Sequence, residues 1–390
     1  MLLGLCAAIA LAPPYWLAVP ARWRRDALAA TSLIALGVYD PRLPALLVAV
    51  TLLLAGALRL MAAGDARRRR ALGLAGVALL VALFVWNKLA GGGLNVLPTQ
   101  GGVLFLGVSF LVLKTTGAVI DGARGTLGAA RLPDLLAWLV FLPTYPSGPM
   151  ETFAHFRDQS PAWDQRRVLG GLERILFGLV KALVFGQQLA AWIDPVLAAP
   201  TAVHPLVLLL AIYGLALRVY FDLAGYSDIA IGLGALYGYD ITENFDRPFA
   251  ARNLAQLWQR WHITLTGWLR TYVFTPVTRG LMRRWPRRDR LAVASGTLAT
   301  LLLIGLWHGL QWNFVLFGLL HGVAVVWVSV YARDAGRLLL PAGVVRWWRQ
   351  SPVAYALSVW LTVTVFAVID VFAVTDIGNA LRCLGALLGR

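Results

Sequence analysis

Long runs of apolar residues with short connections between them constrain this fold more than any other feature. About 20 consecutive apolar residues in a helix cross a bilayer, whereas soluble domains are nearer half apolar and a quarter charged. Here 59% of the 390 residues are hydrophobic and 14% are charged. The runs predict an all-α polytopic membrane protein with about ten to eleven transmembrane helices, forming a single integral membrane domain over 1–390. The candidate spans are residues 1–20, 27–39, 43–61, 71–88, 102–120, 170–193, 204–221, 292–308, 314–331, 353–373 and 377–389.

The basic residues alternate with these spans. Of the 35 basic residues only three are lysines, so 32 are arginines. Short cytoplasmic loops of membrane proteins carry an excess of Lys and Arg, so the pattern places the arginine clusters in the cytoplasm. The net charge of +16 is not gathered on one solvated face, so a nucleic-acid partner is not expected. A patch that binds anionic lipids is the weaker alternative explanation of each arginine cluster, because topology already accounts for the clusters. The clusters are Arg22, Arg24 and Arg25; Arg67–Arg70; Arg279, Arg283, Arg284, Arg287, Arg288 and Arg290; Arg333 and Arg337; and Arg346 and Arg349, and connections near 89–101, 195–204, 309–313 and 374–378 have no basic residue.

Two segments of the chain depart from a plain series of spans. Residues 1–20 are apolar with Arg22 after them, which is typical of an uncleaved first span rather than a signal peptide. The stretch 133–150 contains four prolines, which break a helix, so we expect a re-entrant or cavity-lining segment there. Cys6 and Cys383 lie at opposite ends of the chain and indicate no disulfide framework.

Ionisable residues interrupt the apolar pattern between 218 and 249. Arg218, Asp222 and Asp228 lie in or beside an apolar stretch, where a charge is costly and usually faces a cavity or a partner. An interhelical Arg–Asp pair that orders the bundle is the simpler interpretation, and a functional site is the alternative.

Residues 253–270 have the pattern of an amphipathic helix with Asn253 as its N-cap. Three tryptophans on the apolar arc suit the headgroup level, so the helix is expected to lie along the cytoplasmic interface or dip into the protein. His262 falls at the edge of the arc, where an imidazole can project into a cavity. The apolar arc consists of Leu254, Leu257, Trp258, Trp261, Leu265, Trp268 and Leu269.

His308 ends the span that begins at 292 and lies between glycines and tryptophans. A histidine at membrane depth can act as a general base near neutral pH, or it can simply bond to a neighbouring helix. For His321, in the middle of the next span, a packed and hydrogen-bonded ring is favoured. His155 and His204 carry little signal, and five scattered histidines predict no metal site. If His262 and His308 line one cavity, it connects the two sides of the membrane and suits transfer of a group from a cytoplasmic donor outward.

At these residues the sequence resembles the membrane-bound O-acyltransferase family, in the bacterial polysaccharide branch that includes alginate O-acetylating and teichoic-acid D-alanylating members. The motifs together are specific, although any one alone is weak. They are Pro143–Pro149, Asp222–Gly234, Glu243–Phe249, Trp258–Leu269 and Gly305–Gly322.

The resemblance implies a multi-helix fold around a central tunnel, in the bacterial inner membrane. It implies no bound cofactor, an acyl thioester co-substrate (acetyl-CoA or an acyl carrier protein) entering from the cytoplasm, and a polysaccharide or glycolipid acceptor. His308 matches the family's principal catalytic histidine and His262 matches its second position. The residues expected to bind substrate are Trp307, Trp312, Asn313, Arg260, Trp261, Asp228, Tyr226 and Asn244.

Some positions depart from the pattern of the alginate branch. Thr271 stands where that branch usually has an aspartate, and Glu151 follows the Gly-Pro where a basic residue is common. An acetyl donor is preferred because 225–232 is closer to the acetylating members, with D-alanyl transfer as the alternative. A membrane transporter, and a scaffold that recruits a periplasmic acyltransferase, are the alternatives of another class.

Overall fold

A computed structural model describes residues 2–90, 103–128, 130–331 and 341–389. Within these ranges the chain is helical and has no strand. The Arg333 and Arg337 cluster and most of the 89–101 connection lie outside the described residues. The helices are α1 Leu2–Ala18, α2 Arg24–Tyr39, α3 Leu43–Ala62, α4 Ala66–Ala90, α5 Val103–Arg124, α6 Leu132–Val140, α7 Phe153–Arg157, α8 Gln165–Leu179, α9 Gln187–Ala198, α10 Pro205–Leu236, α11 Leu254–Arg260, α12 Ile263–Leu269, α13 Thr275–Arg284, α14 Asp289–His308, α15 Trp312–Val326, α16 Ala342–Gln350, α17 Pro352–Val374 and α18 Ile377–Leu387.

The helices correspond to the predicted spans. Each candidate span lies on a helix, and the span at 170–193 lies on α8 and α9, which a π-helical segment at Val180–Gly186 joins. Among the described residues, six helices are long and apolar enough to cross a bilayer: Leu43–Ala62, Ala66–Leu89, Pro205–Leu236, Asp289–His308, Trp312–Tyr331 and Pro352–Val374. Gly4–Ala18 and Ile377–Leu387 are apolar but shorter than the ~20 residues that cross a bilayer.

The proline-rich stretch after residue 132 does not form a regular span, as predicted. Helix α6 has 9 residues and ends at Val140, so it is only about 13 Å long. A 3₁₀ turn at Leu142–Thr144 follows. Trp138 is buried, and its Nε1 donates to the Glu151 carbonyl oxygen at 3.0 Å. The segment after α6 is therefore irregular backbone packed within the protein.

The described chain divides into two units. The first comprises residues 1–179 and 226–243, and the second comprises 180–225 and 244–390. In the first unit a cluster of buried aromatic residues forms part of the core, where Phe156 stacks on Tyr239 at 4.8 Å and Phe141 tilts against both. In the second unit α14 and α15 form an antiparallel hairpin, and α17 packs against α15.

Close backbone contact determines the distance between α14 and α15 in their hairpin. A Cβ added at Gly305 would overlap the Phe314 carbonyl oxygen, and one at Gly318 would lie 2.6 Å from the Leu301 carbonyl oxygen. Small residues at these positions therefore allow the two helices to approach until their backbones touch. Gly238 differs, because it follows the end of α10 with a φ of +82°, so it forms a turn rather than a helix contact.

Gly305→Ala should lower the free energy of unfolding by about 2 kcal/mol, because the added methyl forces two backbones apart. The measurement is the thermal unfolding midpoint in detergent. Gly56→Ala is the matched control, because Gly56 also lies inside an apolar helix but has no atom within 4 Å of its added Cβ. The control should be neutral or slightly stabilising. Equal midpoints for the two variants would contradict the close contact.

Candidate active site

The amphipathic segment at 253–270 is broken at its centre, so the prediction of one continuous helix is wrong. Helix α11 ends at Arg260 and α12 begins at Ile263. Trp261 is extended, and His262 has a φ of +44°, in the left-handed region that non-glycine residues rarely adopt. The predicted N-cap is confirmed, since the Asn253 side chain accepts the Gln256 N–H at 2.9 Å.

The apolar arc of the same segment is confirmed as a buried face. All seven of its residues are buried, so the two short helices pack into the second unit. The residues are Leu254, Leu257, Trp258, Trp261, Leu265, Trp268 and Leu269.

Asn244 accounts for the break at His262. Its side-chain oxygen accepts from the Thr264 hydroxyl at 2.8 Å and from His262 Nδ1 at 3.2 Å. Its carbonyl oxygen accepts the Ile263 N–H at 2.9 Å. Asn244 thus supplies hydrogen-bond acceptors that the backbone of a continuous helix would otherwise supply. These hydrogen bonds offset the conformational free energy that the left-handed backbone of His262 costs.

Burial keeps the His262 imidazole neutral. The residue is 6% exposed, and this burial lowers the pKa of His262 to about 4. Because Nδ1 donates its proton to Asn244, Nε2 is the basic nitrogen of the ring. His262 is thus a neutral imidazole whose tautomer is set by the protein.

His308 lies at the carboxyl end of α14, half-buried among aromatic rings. Its ring centroid lies 5.0 Å from that of Trp307 and 6.1 Å from that of Phe314, on which it stacks. The centroid of Phe317, which meets the imidazole edge-on, lies 5.7 Å away. Gly309 follows in an extended conformation and bonds back to the Gly305 carbonyl oxygen. Three aromatic rings therefore line the His308 imidazole, which stays partly exposed.

A continuous strip of aromatic rings joins the two histidines within the second unit. Phe317 contacts both His308 and His321, and His321 contacts Phe366 at 5.5 Å. The ring of Phe366 then contacts that of Trp261, with centroids 4.9 Å apart. Trp261 in turn contacts Phe245, at a centroid distance of 5.3 Å, and Phe245 contacts His262 at 6.3 Å. The structure therefore places His262 and His308 at the two ends of one strip rather than side by side. We call it the aromatic strip: His308, Phe317, His321, Phe366, Trp261, Phe245 and His262.

His321 is a packed, hydrogen-bonded histidine, as the sequence favoured. It is fully buried, and its Nε2 lies 3.4 Å from Oδ1 of Asp370 on α17. The sequence reasoning missed Asp370. A signal was available, because Asp370 is the only acidic or basic residue in the apolar run 353–373.

The other residues expected beside His308 and His262 have varied surroundings. Trp307 contacts the His308 ring, whereas Trp312 is 74% exposed. Asn313 donates to the carbonyl oxygens of Phe372 and Thr375, so its amide ties the start of α15 to the end of α17. Arg260 ends α11, and its carbonyl oxygen accepts the Asp246 N–H at 3.0 Å. Among these four residues, it is Trp307 whose ring packs against the His308 ring.

Asp228 and Tyr226 belong to the first unit, where each has a structural partner. The Arg174 guanidinium donates to Asp228 at 2.9 Å and to both carboxylate oxygens of Glu243. Tyr226 donates its hydroxyl to the Pro143 carbonyl oxygen at 3.3 Å and packs against Gly148, whose φ is +92°. Arg174 was not singled out in the sequence, because an arginine in an amphipathic helix ordinarily faces water.

In the second unit Arg218 forms the interhelical pair that the sequence suggested. Its guanidinium donates to Asp194 on α9, and Asp222 lies 3.8 Å away on the same face of α10. The charges at 218 and 222 thus order neighbouring helices.

Comparisons with known proteins agree with this architecture. The model of the membrane-bound O-acyltransferase family matches residues 100–351, well over half of the chain. The chain belongs to the membrane-bound O-acyltransferase family. It is a multi-pass membrane protein with an all-α fold.

Several curated relatives are named for the transfer of a D-alanyl or acetyl group. The chain is 29% identical to a teichoic acid D-alanyltransferase of Bacillus subtilis, over 60% of this chain and 62% of that protein. It is 30% identical to a probable alginate O-acetylase of Pseudomonas putida, over 80% of this chain and 64% of that protein. It is 30% identical to a peptidoglycan O-acetyltransferase of Helicobacter pylori, over 49% of this chain and 36% of that protein. The chain therefore spans less than two thirds of the length of each of these relatives.

His262→Asn should flatten the dependence of stability on pH. In the folded protein His262 gains a proton only near pH 4, whereas in the unfolded chain it does so near pH 6.5. The unfolded state therefore binds more protons between these values, and the free energy of unfolding falls as the pH falls through this window, by about 3 kcal/mol. Asn is chosen because it tolerates the left-handed backbone. The measurement is thermal unfolding in detergent from pH 7 to pH 4.

His204→Asn is the control for this experiment, because it removes an exposed loop histidine. Persistence of the full wild-type pH slope in His262→Asn would show that the buried imidazole is not its source.

Arg174→Gln should lower the free energy of unfolding by about 2 kcal/mol, because it withdraws the cation from the buried Asp228 carboxylate. Adding Asp228→Asn should recover part of the loss, since the remaining carboxyl charge is removed. Arg166→Gln, at an exposed position of the same helix, serves as the control. Chemical denaturation in detergent measures all four proteins. A double variant no more stable than Arg174→Gln would argue against a structural role for Asp228.

Proposed function

We propose that this protein is an O-acyltransferase that moves an acyl group from a cytoplasmic thioester to a hydroxyl of a cell-envelope or exported polysaccharide. The observation that carries the proposal is the aromatic strip, which has His308 and His262 at its ends, in a chain of the membrane-bound O-acyltransferase family. A bacterial inner-membrane location accords with a cytoplasmic thioester and an acceptor outside.

In the proposed reaction His308 acts as the general base. It takes the proton of the acceptor hydroxyl while the hydroxyl oxygen attacks the thioester carbonyl carbon, and a new C–O bond forms. The C–S bond then breaks, and the departing thiolate receives the proton from His308. The products are an ester on the acceptor and a free thiol on the donor.

His262 contributes a second, neutral imidazole. Its Nδ1 is held by Asn244, so its Nε2 can accept a hydrogen bond from a donor group of the substrate. A ring that stays neutral to about pH 4 does not compete as a cation for the acyl donor's phosphates or for the thiolate. His262 therefore orients substrate at one end of the strip, while the proton transfer occurs at the other.

Aromatic walls support the chemistry at His308. Trp307, Phe314 and Phe317 surround the imidazole and limit the water around it, which protects a thioester from hydrolysis. Trp312, Asn313, Arg260 and Trp261 complete the proposed substrate-binding set in the second unit, with Asn244 behind His262. For Tyr226 and Asp228, which belong to the first unit, a role in binding substrate stays a prediction.

The proposed donor is acetyl-CoA or another acyl thioester, with no bound cofactor. Transfer of D-alanyl from a carrier-protein thioester is the alternative, because one relative is named a teichoic acid D-alanyltransferase. A periplasmic acyltransferase is a further proposed partner.

His308→Gln should reduce acyl transfer by about 10²- to 10⁴-fold, the usual contribution of a general base. The measurement is turnover of radiolabelled acetyl-CoA, and of acetyl- and D-alanyl-carrier thioesters, by detergent-purified protein with polysaccharide acceptors. The preferred thioester identifies the donor.

Controls separate catalysis from folding. His204→Gln changes an exposed histidine and should retain turnover, and the unfolding midpoint of His308→Gln should match that of the wild type. Unchanged turnover in a folded His308→Gln would overturn the general-base role. Absence of turnover in the wild type, with substrate movement or partner recruitment retained, would favour a transporter or a scaffold.

A further inference from the structure

A cavity of about 380 Å³ lies within the first unit, where the second half of α1, the start of α2, the start of α8 and the end of α10 meet. Its volume falls in the range of about 300 to 1,000 Å³ that is usual for ligand sites in proteins. Its walls are apolar, and among the described residues that line it Arg24 alone is charged. None of the lining residues takes part in the reaction proposed above.

The charge of Arg24 is not neutralised within the part of the chain that the structure describes. Its guanidinium carbon lies 4.5 Å from the centroid of the Trp16 ring, and no described carboxylate forms a salt bridge with it. Arg25 differs, because it donates to Asp134 at 2.9 Å and to two backbone carbonyl oxygens. A cation at the wall of an apolar cavity is costly unless an anion meets it. Arg24 is therefore free to pair with an anion that enters the cavity.

Two tryptophans indicate the depth of the cavity in the membrane. Trp16 and Trp163 both line it, with ring centroids 5.6 Å apart. Nε1 of Trp16 donates to the Leu236 carbonyl oxygen at 2.8 Å, which holds that ring in place as a wall. Tryptophans at the end of an apolar helix are typical of the headgroup level. The arginine pattern predicts that this end of α1 faces the cytoplasm, and anionic lipids give the cytoplasmic leaflet its negative surface potential.

The exposed apolar lining of the cavity restricts what can occupy it. Leu17 is 88% exposed and Leu172 is 38% exposed, so the cavity has an apolar rim on the protein surface. Water would find few hydrogen-bonding partners along these walls, and a soluble anion would leave them bare. An uncharged hydrocarbon would leave Arg24 without an anion. A molecule that has both a hydrocarbon chain and an anionic headgroup satisfies the walls and the guanidinium together.

We propose that this cavity binds one anionic phospholipid of the cytoplasmic leaflet, whose phosphate contacts the Arg24 guanidinium and whose acyl chain lies between α1 and α8. The planar guanidinium presents several N–H donors in a fork that matches phosphate oxygens. A zwitterionic lipid also has a phosphate, but its ammonium group lies in the same headgroup and weakens the attraction to an uncompensated cation. The site is independent of the acyl-transfer reaction.

The test is a lipid titration followed by native mass spectrometry, which counts the lipids bound to detergent-purified protein. The probes are phosphatidylglycerol and phosphatidylcholine with the same acyl chains, and sn-glycerol 3-phosphate as the anion without chains. We expect the first phosphatidylglycerol to bind about tenfold more tightly than the first phosphatidylcholine. Glycerol 3-phosphate should not bind, because it cannot cover the apolar walls.

Three arginine variants test the contact with the phosphate. Arg24→Gln should abolish the preference by weakening phosphatidylglycerol alone, and Arg24→Lys should keep part of it, because the charge remains without the planar fork. Arg22→Gln is the matched control, because it removes the same charge from an exposed residue of the same cluster that does not line the cavity. It should retain most of the preference.

A second pair of variants tests the apolar part of the cavity. Leu172→Trp places a larger side chain in the space for the acyl chain, so it should weaken both lipids about tenfold. Leu169→Trp is its control, since Leu169 is 57% exposed on the same helix and does not line the cavity. Because a ligand of the folded state raises the unfolding midpoint, phosphatidylglycerol should raise that midpoint in the wild type and in Leu169→Trp more than in Leu172→Trp.

Each result supports or removes the site. Equal affinities of the two lipids in the wild type, or a preference that survives Arg24→Gln in folded protein, would overturn the contact between Arg24 and the phosphate. Glycerol 3-phosphate binding as tightly as phosphatidylglycerol would make the occupant a soluble anion. If Arg24→Gln does not fold, the Leu172→Trp variant decides, because unchanged phosphatidylglycerol binding there would show that the lipid lies elsewhere.

Discussion

Hydrocarbon offers no hydrogen bonds, so an ionisable side chain on an apolar helix needs a partner within the protein, and several such pairs lie in the described part of the chain. Arg174 of α8 meets Asp228 of α10, Arg218 of α10 meets Asp194 of α9, and His321 of α15 meets Asp370 of α17. Each contact joins two helices. The cost of a charge at membrane depth thus becomes a constraint on which helices are neighbours, since moving one helix would leave its partner's charge unpaired.

The same constraint fixes the chemistry of the histidines. An imidazole has two nitrogens, and the partner of one decides what the other can do. Asn244 accepts from Nδ1 of His262, so Nε2 is the basic nitrogen there. Asp370 accepts from Nε2 of His321, so Nδ1 is the acceptor in that ring. Two histidines in one aromatic strip therefore present opposite nitrogens, and each orientation is set from outside the ring.

The sequence predicts what depends on local pattern and misses what depends on distant partners. Each candidate span lies on a helix because length and apolar composition are properties of the segment itself. The break at His262 was missed because its cause, Asn244, lies 18 residues earlier and acts through hydrogen bonds formed only in the fold. The sequence marks Arg218 and Asp228 as costly, but their partners Asp194 and Arg174 become evident only from helix packing.

The position of His308 depends on backbone rather than on side chains. Gly305 and Gly318 let α14 and α15 approach until main-chain atoms touch, and His308 is one turn beyond Gly305 at the end of α14. Any side chain at either glycine would push the hairpin apart and move the imidazole relative to Phe317 on the facing helix. The glycines of this motif and its histidine therefore depend on one another. The small residues fix the distance between the helices, and that distance decides whether the imidazole meets the strip of rings along which the substrate is proposed to lie.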